Sequence, residues 1–226
     1  MMRRFDQDII VSLIPEGSRV LDLGCGNGDL LIKLKQKGIS DIRGVEIDDR
    51  CIAVCVRKGL TVFHGDIDEG LGDYDDASFD YVLLNQTLQV VHRPTLVIEE
   101  MLRVGNKAIV SFPNFGYFKI RWYLLVKGQM PKVDFLPRDW YDTPNIHLST
   151  ISDFEAFCRT RNIAIERLIG LRSCATGKTV KRFQNLLSQV GIFVITSERE
   201  ASKLRLLEAK TIRAFLDANT LQTDVH

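Results

Sequence analysis

An aliphatic run, Arg19-Val20-Leu21-Asp22-Leu23, breaks into glycines at alternate positions, Gly24, Gly26 and Gly28, and a helical pattern begins at once. This is a strand, a side-chain-poor turn and a helix. Glycine there lets the backbone take positive φ and lets a ligand approach the main chain. The unit repeats in looser form downstream. Strands are predicted at Val20–Leu23, Ile42–Ile47, Leu60–His64, Phe79–Leu84 and Lys107–Phe112, separated by helical stretches with Leu30, Leu31 and Leu34, from Cys51 to Lys58, and from Pro94 to about Val104. Such alternation predicts an α/β fold with a parallel sheet, helices on both faces and right-handed crossovers. Ligands of such sheets bind outside the carboxyl ends of the strands, which is where Gly24–Gly28, Glu46 and Asp66 fall.

Beyond residue 112 the pattern changes. Residues 113–150 hold four prolines, Trp122, Tyr123, Trp140 and Tyr141, and read as an insertion or lid. Ser152 and Glu155 fit a capping box. Ile163–Leu168 and Ile192–Thr196 read as late strands, and residues 198–226 as an amphipathic helical tail after a domain spanning 1–197. Gly177-Lys178-Thr179 has Arg172 where a phosphate loop needs glycine, and is read as a turn and helix start. The stretch from Asp66 to Asp80 carries seven carboxylates and no cation, and reads as a solvated connection.

Two cofactor classes use a strand–glycine–helix turn. A dinucleotide site wants G-x-G-x-x-G with pyrophosphate on the helix N-terminus. Here the spacing is one residue shorter, and Asp22 would face that pyrophosphate with like charge. S-adenosylmethionine has no phosphate; its sulfonium and α-ammonium are attracted by a carboxylate. Glu46, at the end of the second strand, is placed to accept hydrogen bonds from ribose hydroxyls in either class. Asp66 stands where an adenine amino group needs an acceptor. The plainer alternatives are a simple strand–helix turn, and Asp66 capping a turn.

Asp22-Leu23-Gly24-Cys25-Gly26-Asn27-Gly28, Glu46 and Gly65-Asp66 resemble the class I S-adenosylmethionine-dependent methyltransferases. The resemblance implies a Rossmann-like, mostly parallel seven-stranded sheet whose last strand is antiparallel. It also implies S-adenosylmethionine or S-adenosylhomocysteine as ligand. The methionine moiety would lie at Asp22, Gly24 and Gly26, the ribose at Glu46 and the adenine at Asp66 and Ile67, with Cys25, Gly28, Ile47 and Asn85 completing the set. Segments outside this motif narrow the family. Gly65–Leu71, Asn85–Gln89, Arg103-Val104-Gly105, Ser111–Gly116 and Trp140–Leu148 are similar to the methionine biosynthesis protein MetW family, over about Phe5 to Thr196. That similarity implies a role in methionine synthesis beside a homoserine O-acyltransferase, with an active small-molecule or protein methyltransferase as the alternative.

Catalytic residues are not identified. The end of the fourth strand reads Asn85-Gln86-Thr87-Leu88 rather than the Asn-Pro-Pro-Tyr type of amino-methylating enzymes. His147 and Tyr141 are base candidates, with hydrogen bonding inside the lid as the alternative role. His92 reads as a surface or capping residue and His64 as a core or edge residue. There is no metal-ligand spacing. Cys51 and Cys55 share a helix face and read as buried thiols. A net charge of +1 argues against nucleic acid, despite Lys119, Arg121, Lys127, Lys132 and Arg138. No apolar run approaches the roughly 20 residues of a spanning helix, and Asp6 and Asp8 interrupt any signal-peptide pattern. A cytoplasmic protein without membrane contact is expected.

Overall fold

In the computed structural model, residues 4–197 apart from 134 and 174 are described, so the expected tail over 198–226 lies outside the described residues. The elements are α1 (Phe5–Leu13), β1 (Val20–Leu23), α2 (Asp29–Gln36), β2 (Ile42–Glu46), α3 (Asp49–Arg57), β3 (Val62–His64), β4 (Phe79–Asn85), α4 (Pro94–Val104), β5 (Gly105–Pro113), α5 (Phe118–Lys127), α6 (Ile151–Thr160), β6 (Ile163–Leu171), β7 (Thr179–Val180), α7 (Gln184–Leu187) and β8 (Val190–Ser197). They build one mixed sheet in the order β3-β2-β1-β4-β5-β8-β6-β7. The first five strands are mutually parallel. β8 runs antiparallel to both β5 and β6. The strand order reverses between β1 and β4, which opens a crevice at their carboxyl ends.

Burial follows from strand periodicity. Leu21, Val82, Leu84, Val110 and Phe112 join Val97 and Met101 of α4 and Phe154 of α6 on one face. Their alternates Val20, Leu83 and Ile109 join Ile10 of α1 and Leu30 and Leu34 of α2 on the other. A sheet covered on both sides explains why these strands read as near-continuous apolar runs. Phe112, Phe154 and Phe193 form a triangle of rings, with Phe112 centroid distances of 5.2 Å to Phe154 and 5.7 Å to Phe193 and 4.6 Å between the latter two. Asp22 is the exception. It sits in β1 between Gly44 of β2 and Leu83 of β4, and it is 2% exposed.

Four expectations need correction. Among the described residues the sheet has eight strands, not seven. The extra one is β7, at the place where Gly177-Lys178-Thr179 was expected to start a helix. Gly177 is left-handed (φ +63°), and Arg172 N donates to Lys178 O at 2.9 Å, so the chain turns back and Thr179-Val180 pair with β6. The capping box is Thr150 with Asp153, two residues before the expected pair. Thr150 Oγ1 accepts from Asp153 N at 3.1 Å, and Asp153 Oδ2 accepts from Thr150 N at 3.0 Å. A tertiary contact sets this start: Ile151 N donates to the buried Asn114 Oδ1. Cys55 is buried as expected, whereas Cys51 is partly exposed.

The acidic connection is also better anchored than a solvated loop. Asp68 accepts from the backbone of His92 and Arg93 at the entry to α4, which has no side-chain cap of its own. Arg103 donates to Asp76, Glu100 and the carbonyls of Leu71 and Tyr74. No helix among the described residues is long and apolar enough to cross a membrane.

Candidate functional site

The glycine turn is stitched to the neighbouring strand. Gly24 N and Cys25 N both donate to Val45 O, at 2.8 and 3.1 Å. Gly24 has φ +66°, and a Cβ there would lie 2.8 Å from Thr87 Cγ2. Only glycine fits both the conformation and the approach of the loop after β4. Glu46 closes the turn from the end of β2. Its Oε2 accepts from Gly26 N at 2.7 Å, and its Oε1 accepts from Ile47 N and Asp48 N at 2.9 and 3.0 Å.

Beside the turn lies a cavity of about 430 Å3, walled by Gly24, Val45, Glu46, Ile47, Gly65, Asp66, Ile67, Asp68, Thr87, Val90, Val91 and His92. Among the described residues, three carboxylates line it and no lysine or arginine does. That donor-poor, acidic wall suits hydroxyls, an exocyclic amine and a cation, and it would repel a pyrophosphate. Asp22 lies outside the wall, buried in β1. Burial first, then the Glu46 carboxylate, push its pKa up to about 8, with Arg4 opposing. The group is therefore mostly protonated at neutral pH.

Of the expected site residues, Gly24, Glu46, Ile47, Asp66 and Ile67 share this cavity. Gly26 contacts it through Glu46. Cys25 instead packs with Leu31 and Cys55, and burial raises its thiol pKa well beyond the nucleophilic range. Gly28 precedes α2 in the left-handed conformation, over Cys55 and Leu60. Asn85 lies off the wall, where its Oδ1 accepts from Ser111 Oγ at 2.6 Å. Asp66 also caps the short 3-10 turn Ile67–Glu69 by accepting from Asp68 N, so the plainer role exists alongside its place in the cavity. Thr87, Val90, Val91, Asp68 and His92 were not anticipated as lining. Only the Asn85–Gln89 segment and the Gly65–Leu71 run drew attention to that neighbourhood.

The base candidates stand elsewhere. Tyr141 is exposed, with its hydroxyl 3.4 Å from Asp139 Oδ2. His147 is half-buried, its Nε2 has no hydrogen-bond partner, and its backbone N donates to Gln89 O at 3.1 Å. His64 is an exposed residue of edge strand β3, 3.8 Å from Asp49. His92 is exposed on the cavity rim.

A second cavity of about 310 Å3 lies across residues 86–90 from the first. Gln86 and Gln89 line the second cavity, while Thr87 and Val90 line the first. Segment 113–150 supplies nearly all the other walls. That segment is tied down by Asn114, which is fully buried and satisfied on all sides. Its Nδ2 donates to Asn185 O and Ser188 O, and its Oδ1 accepts from Gly116 N and Ile151 N.

Comparison with known proteins gives a consistent picture. The sequence profile of the family described as methionine biosynthesis protein MetW matches residues 4–195. A bifunctional methionine biosynthesis protein MetXA/MetW of Rhodopirellula baltica is 38% identical over 173 residues, which is 71% of this chain but 27% of that protein's length. A ubiquinone biosynthesis O-methyltransferase of Nitrosococcus oceani is 26% identical over 163 residues, covering 69% of this chain and 67% of the relative. Among solved structures, an S-adenosylmethionine-dependent methyltransferase of Mesorhizobium loti superposes with TM-score 0.62 at 16% identity, covering 84% of this chain and 97% of that one. A methyltransferase of Thermotoga maritima gives TM-score 0.60 at 20% identity, covering 84% and 86%. At such identities the superpositions establish the Rossmann-like methyltransferase fold alone.

Proposed function

The chain belongs to the methionine biosynthesis protein MetW family, and on that premise we propose that it is an S-adenosylmethionine-binding protein acting as a partner of a homoserine O-acyltransferase. The observation that carries the partnership is the Rhodopirellula baltica relative, in which a MetW portion shares one chain with a MetXA portion. Fusion raises the effective concentration of two modules that work together. The test is co-purification of this chain with the acyltransferase of the same cell, and acyltransferase turnover measured with and without it. An acyltransferase equally active and equally stable alone would overturn the reading.

The cofactor assignment rests on the chemistry of the larger cavity. Glu46 would take the ribose hydroxyls, and Asp66 with Ile67 the adenine edge. Asp22, beneath Gly24 and Gly26, would hold the α-ammonium as its carboxylate. Cys25, Gly28, Ile47 and Asn85 would support the turn and its surroundings. When bound, the cofactor supplies an activated methyl group; the residues around it bind, orient and exclude water. Titration calorimetry with S-adenosylmethionine and S-adenosylhomocysteine checks this directly, and binding of neither would remove the claim. In this reading residues 1–197 are one domain, 113–150 is a lid over the carboxyl ends of the strands, and the working place is the cytoplasm.

A second reading, an active methyltransferase, is favoured by the second cavity lying across residues 86–90 from the first. Alignment of a nucleophile supplies much of the rate in such a transfer. Labelled methyl incorporation by the wild type but not by Asp22→Ala would support it; no Asp22-dependent product in a cell extract would count against it.

A further inference from the structure

The two cavities differ in charge. Among the described residues, the one beside the glycine turn is lined by three carboxylates and no lysine or arginine. The one under segment 113–150 is lined, again among the described residues, by a single cation, Arg138, and by no carboxylate or histidine. Its other walls are largely apolar, with Phe115, Met130, Leu136, Trp140 and Ile146 among them. Arg138 is exposed and donates to Asp142 O at 3.3 Å; it has no carboxylate partner among the described residues.

The floor is unfinished. Gln86 Nε2 and Gln89 Oε1 are buried without any hydrogen-bond partner. Gln89 is 7% exposed and has its amide nitrogen on Gln86 O, at 2.6 Å, leaving the oxygen unmatched. Gln86 holds φ +58°, a conformation a non-glycine residue adopts only when its surroundings impose it. Here the surroundings are Ser111, whose O and Oγ both accept from Gln86 N. Strain at a strand end and two sealed, unmatched amide atoms in side chains that line one cavity are the marks of a site completed by a ligand toward which those amides turn. An unmatched N–H and a guanidinium without a carboxylate partner among the described residues ask for an anionic acceptor. An unmatched carbonyl oxygen asks for a donor that needs no countercharge, because no carboxylate among the described lining residues offsets an ammonium.

We propose that this cavity binds a small carboxylic acid with a branched apolar body. Arg138 and the Gln86 amide hold the carboxylate, the body lies among Phe115, Leu136 and Trp140, and a hydroxyl beside the carboxylate meets Gln89 Oε1. At about 310 Å3 the space is at the small end of ligand pockets. The site stands apart from the cofactor reading, since it shares none of the cofactor cavity's lining.

The test is titration calorimetry of the full chain with four probes of one skeleton: 4-methylpentanoate, 2-hydroxy-4-methylpentanoate, 4-methylpentanamide and leucine. The two acids should bind, the hydroxy acid the tighter, and the amide should be about tenfold weaker or worse, the loss of one charge-assisted contact. R138Q, at an exposed position, should weaken the acids by about the same factor and leave the amide unchanged. In a W122F variant, the fluorescence of Trp140 should then respond saturably to the acids. Equal affinity for acid and amide, tightest binding of leucine, an R138Q indistinguishable from wild type, or no binding of any probe would each overturn the proposal. S-adenosylmethionine titrated into the same samples reports on the cofactor cavity separately.

Discussion

If Asp22 takes the ligand's α-ammonium as proposed, binding of S-adenosylmethionine is a proton-linked event. Its carboxyl is buried in β1 and held up to about pKa 8, chiefly by burial and secondly by Glu46. If the bound form is the carboxylate paired with an ammonium, binding below pH 8 must release that proton. Ionising the group one pH unit below its pKa costs about 1.4 kcal/mol, and two units below about twice that. Affinity for S-adenosylmethionine should therefore rise about tenfold per unit from pH 6 to 7 and flatten toward 8. Above that window the ligand's own α-amino group titrates as well. Calorimetry in two buffers of different ionisation enthalpy counts the released protons, with about 0.9 expected at pH 7. Asp22→Asn should lose both the slope and the proton release, and bind about 10- to 100-fold more weakly near pH 7.5. Stability runs the opposite way. Between the ordinary pKa of 3.8 and about 8, the folded state keeps a proton that the unfolded chain has given up. This contribution is fully present below the ordinary pKa and is lost as pH rises through 8, so Asp22→Asn should gain stability relative to wild type as pH rises. An affinity that is flat from pH 6 to 7.5, or a slope that survives in Asp22→Asn, would refute the reasoning.

Three further outcomes follow from packing and capping. Asn114→Asp replaces two donations to carbonyls with a buried acceptor and should cost about 3–5 kcal/mol in urea unfolding. Phe112→Ala removes one ring of a three-ring cluster with Phe154 and Phe193 and should cost about 3–5 kcal/mol by the same measurement. Asp153→Ala should cost about 1 kcal/mol while Glu155→Ala stays within about 0.5, which thermal melts can separate and which would be reversed if α6 began where the sequence alone suggested.

β1, β4 and β5 were legible because each is a largely apolar run, β2 and β3 because they alternate with helical stretches, and the glycine turn because its spacing is local. That Gly24, Glu46 and Asp66 share one cavity was legible for the same reason: they sit at or just beyond strand ends. What escaped was set by distant contacts. The acidic run from 66 to 80 reads as solvated when taken alone, yet Asp68 closes the entry to α4 and Asp76 meets Arg103, both more than twenty residues away in sequence. The start of α6 moved because Asn114 reaches Ile151 across thirty-seven residues. The strand β7 is only two residues long, below what periodicity resolves. Asp22 was legible as a charge, but its protonation depends on burial that only the assembled sheet creates.

Residues 86–90 are a partition between two cavities, each with a proposed occupant. Because Gln86 and Gln89 face one chamber's lining and Thr87 and Val90 the other's, the two ligands cannot be energetically independent if either shifts that short segment. Whatever factor the cofactor imposes on the acid's affinity, the acid must impose on the cofactor's, by thermodynamic reciprocity. The strained φ of Gln86 marks where such a shift would be least resisted. A protein built this way can report one small molecule's abundance to another's binding site through five residues of backbone, without moving the sheet that carries them.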